Sequence, residues 1–227
     1  MPRLRKLTLV LTALVLAACR PALATSYTYN FTGLDATIPD HDTNGFSNSQ
    51  LISDTLGNIT DISVTLNISN GYNGDLYAYL VGPNSGFAVL LNRVGKTANN
   101  GFGYSDPGFH VTLDDQAGTD IHLYSPHNTG SPLTGLWAVD GRRDDPNDVT
   151  ESIADRTALL SSFDGFSANG TWTLFLADLS IGEESTLMSW GLEISTVPEP
   201  GICTLGILAA LALVFKMTRW GPRRIGD

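Results

Sequence analysis

Apolar and polar residues alternate along several short segments in the middle of this chain. The alternation is strict over 61–68, where every second residue is Ile, Val or Leu. It recurs over 109–114, 172–177 and 188–194, with Phe175 as an exception on the polar side of the third segment. A period of two residues is that of a strand with one buried and one exposed face, so each segment is predicted to form a strand.

Two further segments, 76–81 and 87–91, are apolar throughout, which predicts strands covered on both faces. Asn-Gly and Gly-Pro-Asn sequences between the segments are typical of turns. Only 149–162 has a spacing that favours a helical turn or two. Short strands at such intervals, joined by turns, predict an all-β chain folded as a β-sandwich.

The start of the chain has a different character from this middle part. A basic beginning precedes the apolar run 7–18, and Ala22 and Ala24 then form a small-x-small cleavage site. The sequence therefore predicts a signal peptide over 1–24, cleaved after Ala24. An alternative lies within the same segment, because the four residues that end at Cys19 resemble a lipobox, in which this cysteine is lipidated. An intact mass that includes an acylated Cys19 would contradict cleavage after Ala24.

The end of the chain, 197–227, combines a hinge, an apolar run and a basic tail. Pro198, Glu199 and Pro200 form the hinge, and the apolar run 201–215 follows it directly. A helix of this length is about 22 Å long, short of the roughly 30 Å hydrocarbon core of a bilayer. Basic residues beyond the run predict that this end stays cytoplasmic and that the rest of the chain lies outside. A plain membrane anchor is one interpretation of this single hydrophobic helix.

The same segment resembles the PEP-CTERM sorting signal of bacteria that build exopolysaccharide. The resemblance implies a partner, the membrane enzyme exosortase, which recognises the Pro198, Glu199 and Pro200 region and processes the tail. It also implies export to the cell envelope, the outer surface or the extracellular matrix. Anchoring through the C-terminal helix is then transient or stable, depending on whether the tail is cleaved.

Cysteine content and charge both change when the two ends are set aside. The chain has two cysteines, Cys19 and Cys203, and both lie in the predicted targeting segments, so the predicted mature domain has no disulfide. The whole chain has a formal charge of −10, whereas residues 25–197 hold five basic and 21 acidic residues, a formal charge of −16. Such a charge argues against nucleic acid as a partner and favours divalent cations. Solubility in an exposed compartment explains the sign equally well.

The middle of the chain also resembles a named domain, the P domain (P/Homo B) of proprotein convertases. The segments that carry the resemblance follow the order of that domain: 58–62, 73–76, 80–86, 109–117, 160–165, 169–174, 177–178 and 187–192. The resemblance implies a jelly-roll β-sandwich of about eight strands over 54–196, with 25–53 as an N-terminal strand and loop that lead into it. In convertases the domain follows a subtilisin-like protease domain and stabilises it. This chain contains no Gly-Thr-Ser and no His-Gly-Thr motif, so we expect no catalytic residues and no enzymatic activity.

Four aspartates form the best candidate for a metal site. Asp75 follows an Asn-Gly turn, Asp114 and Asp115 end one predicted strand, and Asp178 ends another. Strand ends gather at the edges of a sandwich, and several carboxylate oxygens together suit Ca²⁺. The P-domain resemblance supports the same cofactor. The competing interpretation is that these side chains form Asx turns and solvate loops.

A second acidic group, 140–148, contains four aspartates interleaved with Arg142 and Arg143. Within it, 144–148 has neither the central glycine nor the terminal glutamate of an EF-hand loop, and we interpret the group as a self-neutralised exposed loop. The four histidines form no zinc motif, so we expect them to be hydrogen-bonded or exposed rather than metal ligands. Trp172 and Trp190 are predicted to lie in the core.

Together these observations predict a non-catalytic exported surface or matrix protein, whose sandwich is a structural or adhesive module. Two alternatives stay open. In the first, the sandwich is a carbohydrate-binding module, with Trp137 as the ring most available for stacking on a sugar. In the second, it is an accessory domain that docks onto a separate subtilisin-like protease. The expected external partners are polysaccharides or surface proteins.

Overall fold

The computed structural model describes residues 24–126 and 130–197. Residues Thr25–Thr196 form one compact unit. Ala24 is exposed just before the first strand, whereas Ala22, the Pro198-Glu199-Pro200 hinge, the predicted C-terminal helix and the basic tail lie outside the described residues. No helix within the described ranges is long and apolar enough to cross a membrane.

The described residues contain nine strands and three short 3-10 turns. The strands are β1 (Thr25–Ile38), β2 (Phe46–Ile52), β3 (Asn58–Ser69), β4 (Leu76–Val81), β5 (Phe87–Asn92), β6 (Phe109–Leu113), β7 (Leu133–Trp137), β8 (Gly170–Asp178) and β9 (Ser185–Val197). The 3-10 turns are Asn73–Asp75, Ile121–Leu123 and Leu160–Phe163. Of the helical turns predicted over 149–162, only the turn Leu160–Phe163 forms.

The strands form two sheets, which confirms the prediction of an all-β sandwich. One sheet has five strands in the order β1-β9-β3-β6-β7, and the other has four in the order β2-β8-β4-β5. The pairing of β6 with β7 is parallel. β1 pairs with β9 in the first sheet and β2 with β8 in the second, so the segment 25–53 supplies two strands rather than one strand and a loop.

The core lies between the sheets and is built from the apolar side of each alternating strand. Trp172 and Trp190 are both buried, as predicted, with 0 % and 1 % of their surface exposed. Each indole N–H keeps a hydrogen bond: Trp172 donates to the Ala168 carbonyl at 2.8 Å and Trp190 to Asn48 Oδ1 at 2.9 Å. Burial of these rings therefore leaves no unpaired indole donor, which is the condition for a tryptophan to stabilise a core.

The two continuously apolar strands differ from each other. β5 is buried along almost its whole length, as predicted, because the chain around 138–158 packs over it. The Val89 N–H donates a hydrogen bond to the Ala158 carbonyl, and the backbone N–H of Asp140 donates one to the Leu90 carbonyl. In β4 the outward side chains are only partly buried, so the prediction that it is covered on both faces is wrong.

Candidate functional site

Four aromatic side chains form a continuous group on the outer surface of the four-stranded sheet. We call Tyr77, Tyr79, Phe87 and Phe175 the aromatic face. The strand register brings them together, since Tyr79 lies opposite Phe175 and Phe87 pairs with Val81, two residues along from Tyr79. The Tyr79 ring centroid lies 5.9 Å from that of Tyr77, 5.3 Å from Phe87 and 4.6 Å from Phe175.

The rings of the aromatic face pack mainly against one another. The planes of Tyr79 and Phe175 are only 15° apart, a stacked arrangement. A ring whose face lies on a neighbouring ring presents mostly its edge, and for tyrosine its hydroxyl, to solvent. Burial raises the pKa of the Tyr77 phenol, so its hydroxyl stays protonated and can donate a hydrogen bond. The result is a patch with an apolar body and polar tips.

Arg143 extends this face with a positive charge. Its guanidinium carbon lies 5.8 Å from the centroid of the Phe87 ring, within the range of a cation–π contact. Arg143 is exposed, whereas Arg93, Lys96 and Arg142 are buried. The Arg156 side chain is 21 % exposed. Among the residues that the structure describes, Arg143 is thus the cation most available to a partner.

Arg142, one of the buried cations, takes part in a buried charged cluster. Arg142 donates to Asp120 Oδ2 at 2.8 Å and to Asp140 Oδ1 at 3.2 Å. His122 Nδ1 lies 2.7 Å from Asp140 Oδ2, so one proton must lie between them. The other ring nitrogen, Nε2, donates to the Lys96 carbonyl at 2.8 Å, because a carbonyl oxygen can only accept.

The prediction of an exposed loop over 140–148 is therefore wrong for its first three residues, which are buried. Asp140 and Arg142 are both 0 % exposed. The histidine prediction is confirmed for His122, which is fully hydrogen-bonded, and for His41 and His110, which are exposed. His127 lies outside the described residues.

The buried cluster also fixes the position of Arg143. Asn92, at the end of β5, donates its amide to the carbonyl oxygens of Arg142 at 3.2 Å and Asp144 at 3.0 Å. Lys96 Nζ donates to the carbonyl oxygens of Asn147 at 2.7 Å and Val149 at 3.1 Å. Hydrogen bonds on both sides of Arg143 hold its backbone against β5, beside the aromatic face.

The structure brings together only two of the four aspartates of the predicted metal site. Asp178 lies opposite Leu76 in the β4–β8 register, next to Asp75. Asp75 is 5 % exposed and lies 3.7 Å from the Arg93 guanidinium. Asp178 is fully buried, and its Oδ2 has no hydrogen-bond partner among the described residues. Burial raises the pKa of Asp178 to about 6, and it also raises the pKa of Asp75.

The other two aspartates lie at the opposite end of the sandwich. Asp114 interacts with Asp61 near the start of β3, whereas Asp75 follows the end of this strand, which is about 40 Å long. The Asp115 carboxylate accepts hydrogen bonds from the backbone N–H groups of Leu160 at 3.1 Å and Ser161 at 2.8 Å. These bonds cap the start of the third 3-10 turn. Within 24–126 and 130–197, no group of three or more His, Cys, Asp or Glu residues is arranged to hold a metal ion.

Trp137, the predicted stacking residue, is the last residue of the edge strand β7. Its indole N–H donates to the Thr134 carbonyl at 3.0 Å, and its ring and that of Tyr124 pack in a T-shaped arrangement with centroids 6.0 Å apart. The ring is partly buried and packs against the core, so only part of it remains available to a ligand.

Sequence reasoning missed the aromatic face as a unit. The predicted strand 76–81 contains Tyr77 and Tyr79, but nothing in the sequence joins these two residues to Phe87 or Arg143. The available signal was Phe175, whose break in the alternation marks a large apolar residue on an outward position. Residues opposite each other in neighbouring strands can be 96 positions apart, as Tyr79 and Phe175 are, and a single sequence does not record such pairings.

No known protein-family profile matches this chain, and no curated protein matches its sequence. Among solved structures it is similar to a chain in the crystal structure of the Aeromonas sobria serine protease in complex with its chaperone. That match has 20 % identity and a TM-score of 0.41, and covers 82 % of this chain and 29 % of the other. A structure of the serine protease of Aeromonas sobria gives 18 % identity, coverage of 81 % and 29 %, and the same TM-score of 0.41. This chain thus spans less than a third of the chains that it matches, and at these values their activities do not transfer to it.

Proposed function

We propose that this chain is an exported, non-catalytic module that docks onto a separate protein through the aromatic face and Arg143. The observation that carries the proposal is the gathering of four aromatic rings and the most available cation at one place on a strongly acidic domain. Tyr, Phe and Arg are enriched in protein interfaces, and Tyr and Arg are among the residues that dominate their binding energy.

The packing of the rings favours a protein partner over a sugar at this face. Stacking on a sugar requires the free face of an aromatic ring, and here Tyr79 and Phe175 lie face to face. Ring edges and hydroxyl tips suit the mixed apolar and polar surface of a protein.

The charge of the domain defines the chemistry of the partner. Residues 25–197 hold 21 acidic and five basic residues, so the partner surface should have an apolar centre and a basic rim. It should also offer an acceptor, such as a carboxylate, to Arg143. We take a separately encoded subtilisin-like serine protease as the first candidate, because the sequence resembles the P domain that accompanies such proteases.

We also propose that the sandwich is a jelly roll of the P-domain type. The order β1-β9-β3-β6 in one sheet and β2-β8-β4-β5 in the other supports this assignment. In this arrangement consecutive strands change sheet, except for the hairpin of β4 and β5, as in two intertwined Greek keys, and β7 is an addition at the edge.

Charge reversal at Arg143 tests the docking proposal. Arg143→Glu is expected to weaken binding of the full chain to the purified subtilisin-like protease of its own organism by about 30-fold, the effect of a typical hot spot. Phe87→Ala should weaken it to a similar extent. Phe102→Ala is the matched control, because this ring is 80 % exposed but lies outside the aromatic face. Isothermal titration calorimetry measures the affinities, and equal binding by the wild type and both face variants would contradict the proposal.

Delivery to the exterior is a separate part of the proposal. We infer that 1–24 directs export and that exosortase recognises the Pro198-Glu199-Pro200 hinge and processes the tail. The destination is the cell envelope, outer surface or matrix, where a docking module can also serve a structural or adhesive role. Intact-mass measurement of the exported protein tests this: a product that keeps its full N-terminal segment would contradict it.

Calcium binding is a further part of the proposal, now restricted to the end of the sandwich that holds Asp75 and Asp178. Two buried carboxylates, one with an unpartnered oxygen, support it. Excess Ca²⁺ should raise the unfolding midpoint of the full chain at pH 7.5 relative to EDTA, because a ligand of the folded state stabilises it. Asp75→Asn should remove that rise, and Asp115→Asn, at the other end, should keep it. Coincident midpoints in Ca²⁺ and EDTA would exclude the site.

A further inference from the structure

The outer surface of the five-stranded sheet carries an open trough that shares no residue with the aromatic face or with the buried charged cluster. It crosses β1, β9, β3, β6 and β7 and has a volume of about 510 Å³. Six polar side chains line it, and we call it the polar trough: Asn30, Thr65, Asn67, His110, Thr112 and Ser189. Its volume falls within the range of small-ligand sites in proteins, roughly 300–1,000 Å³.

The polar trough differs in charge from the rest of the domain. None of its lining residues is Asp, Glu, Lys or Arg, although 25–197 contains 21 acidic residues. A surface of amides, hydroxyls and one imidazole offers hydrogen bonds, and it has no carboxylate, ammonium or guanidinium group to pair with a charged ligand. The ligand that it fits is therefore polar and uncharged.

The polar side chains of the trough are available to a ligand. Asn67 lies opposite His110, and Thr65 lies opposite Thr112, on neighbouring strands. None of the six side chains hydrogen-bonds to another residue of the described ranges. An asparagine amide donates and accepts, as does a hydroxyl, which matches the paired hydroxyl groups of a sugar.

The floor and edge of the trough add shape to this chemistry. Gly191, in β9, has no side chain, and a Cβ at this position would lie 2.7 Å from Thr65 Oγ1 and 3.0 Å from Asn30 Oδ1. Glycine here keeps the floor open and lets these two side chains lie close to it. At the β7 edge, Leu136 is 59 % exposed and offers an apolar surface for the C–H face of a pyranose ring.

We propose that the polar trough binds a chain of uncharged polysaccharide, laid across the five strands. The trough runs across the five strands, and neighbouring strands in a sheet lie about 4.8 Å apart. The trough is therefore about 20 Å long, enough for several sugar units. A protein partner is disfavoured, because the trough lacks the aromatic and charged anchors of an interface. An anionic polymer is disfavoured by the charge of the surrounding domain.

This inference is independent of the proposed docking function. The polar trough and the aromatic face belong to different sheets of the sandwich. Variants of one leave the side chains of the other unchanged, so a failure of either proposal does not decide the other. If both hold, one module joins a protein to a glycan.

A glycan array tests the proposal with the purified full chain in mild detergent. The probes are hexasaccharides of β-1,4-glucan, β-1,3-glucan, α-1,4-glucan and β-1,4-mannan, with oligogalacturonate as the anionic comparison. We expect selective binding to at least one neutral probe. Asn67→Ala combined with His110→Ala should weaken that binding about tenfold or more, since two hydrogen-bonding groups are lost. Thr65→Trp should abolish it by filling the trough.

Thr171→Trp is the matched control, because it places the same ring on an exposed threonine of β8, in the other sheet. It should bind the neutral probe as the wild type does. Circular dichroism verifies that each variant is folded. The proposal is overturned if no neutral probe binds the wild type above background, if oligogalacturonate binds best, or if Thr65→Trp binds as tightly as Thr171→Trp.

Discussion

Asp140→Asn is expected to lower the free energy of unfolding by about 3 kcal/mol or more, because it breaks a buried ion pair from one side. Asp140 is fully buried and accepts hydrogen bonds from three directions: His122 Nδ1, the Asn92 N–H and the Arg142 guanidinium. Asparagine has nearly the same size, so the change removes the charge without opening a cavity. Among the described residues, Arg142 then retains only Asp120 as a partner in an ion pair.

Thermal unfolding followed by circular dichroism measures this effect in the full chain. For a domain of this size the expected fall in the midpoint is roughly 6–12 °C. Asp148→Asn is the control, since this carboxylate is exposed in the same loop and its loss should change the stability by less than about 0.5 kcal/mol. Similar midpoints for the two variants would show that the buried cluster does not hold the loop.

The contrast between Asp140 and Asp148 shows where the sequence stops being informative. Both are aspartates of one polar segment, and local composition gives them the same expectation. Their difference arises from His122, which hydrogen-bonds to Asp140, and from Asp120, which pairs with the neighbouring Arg142. Both partners lie about 20 residues earlier in the chain and come close only when the chain packs over β5. Patterns of single residues predict burial of apolar groups well, but they do not predict which charges acquire buried partners.

Strand prediction succeeded where one face of a strand is buried and the other is exposed. The segment 61–68 lies within β3, and its Ile, Val and Leu residues all point into the core. β1 and β2 carry a weaker signal, because many of their residues are polar on both sides. Both are edge strands, which have fewer neighbours and need fewer apolar residues.

The candidate site shows the same division. Each of the four aspartates does end or adjoin a strand or turn, as the sequence indicated. Strands that run in opposite directions end at opposite sides of a sandwich, however, so strand ends alone do not define one cluster. Asp75 and Asp178 meet because β4 starts where the antiparallel β8 ends, a register that only the fold supplies.

Asp178→Asn is expected to stabilise the domain at pH 7.5 in EDTA and to have little effect at pH 4. The wild-type carboxyl is fully buried, and burial raises its pKa from 3.8 to about 6. Below about pH 3.8 the group is protonated in both the folded and the unfolded chain. Between pH 3.8 and 6 the folded chain holds a proton that the unfolded chain has released, so the stability of the wild type falls as the pH rises.

Above about pH 6 the ionised carboxylate stays buried at its full cost, on the order of 3 kcal/mol if the whole shift is expressed in stability. Asparagine removes this charge and retains an acceptor for the Ser180 N–H, which Asp178 Oδ1 now binds at 3.3 Å. Urea unfolding at pH 4, 5, 6 and 7.5 therefore should give a smaller decline with pH for Asp178→Asn than for the wild type. Asp35→Asn makes the same substitution at an exposed position and should keep the wild-type decline.

The pH profile also distinguishes two roles for this carboxylate. If Asp178 is a buried carboxyl that holds no metal, the variant gains stability at pH 7.5 in EDTA and gains as much with Ca²⁺ present. If it is a calcium ligand, the wild type recovers its stability in Ca²⁺ and the variant does not, so their order reverses between the two buffers. A parallel decline in both proteins would mean that Asp178 is ionised in the folded chain at acidic pH, and that its unpartnered oxygen is satisfied by solvent.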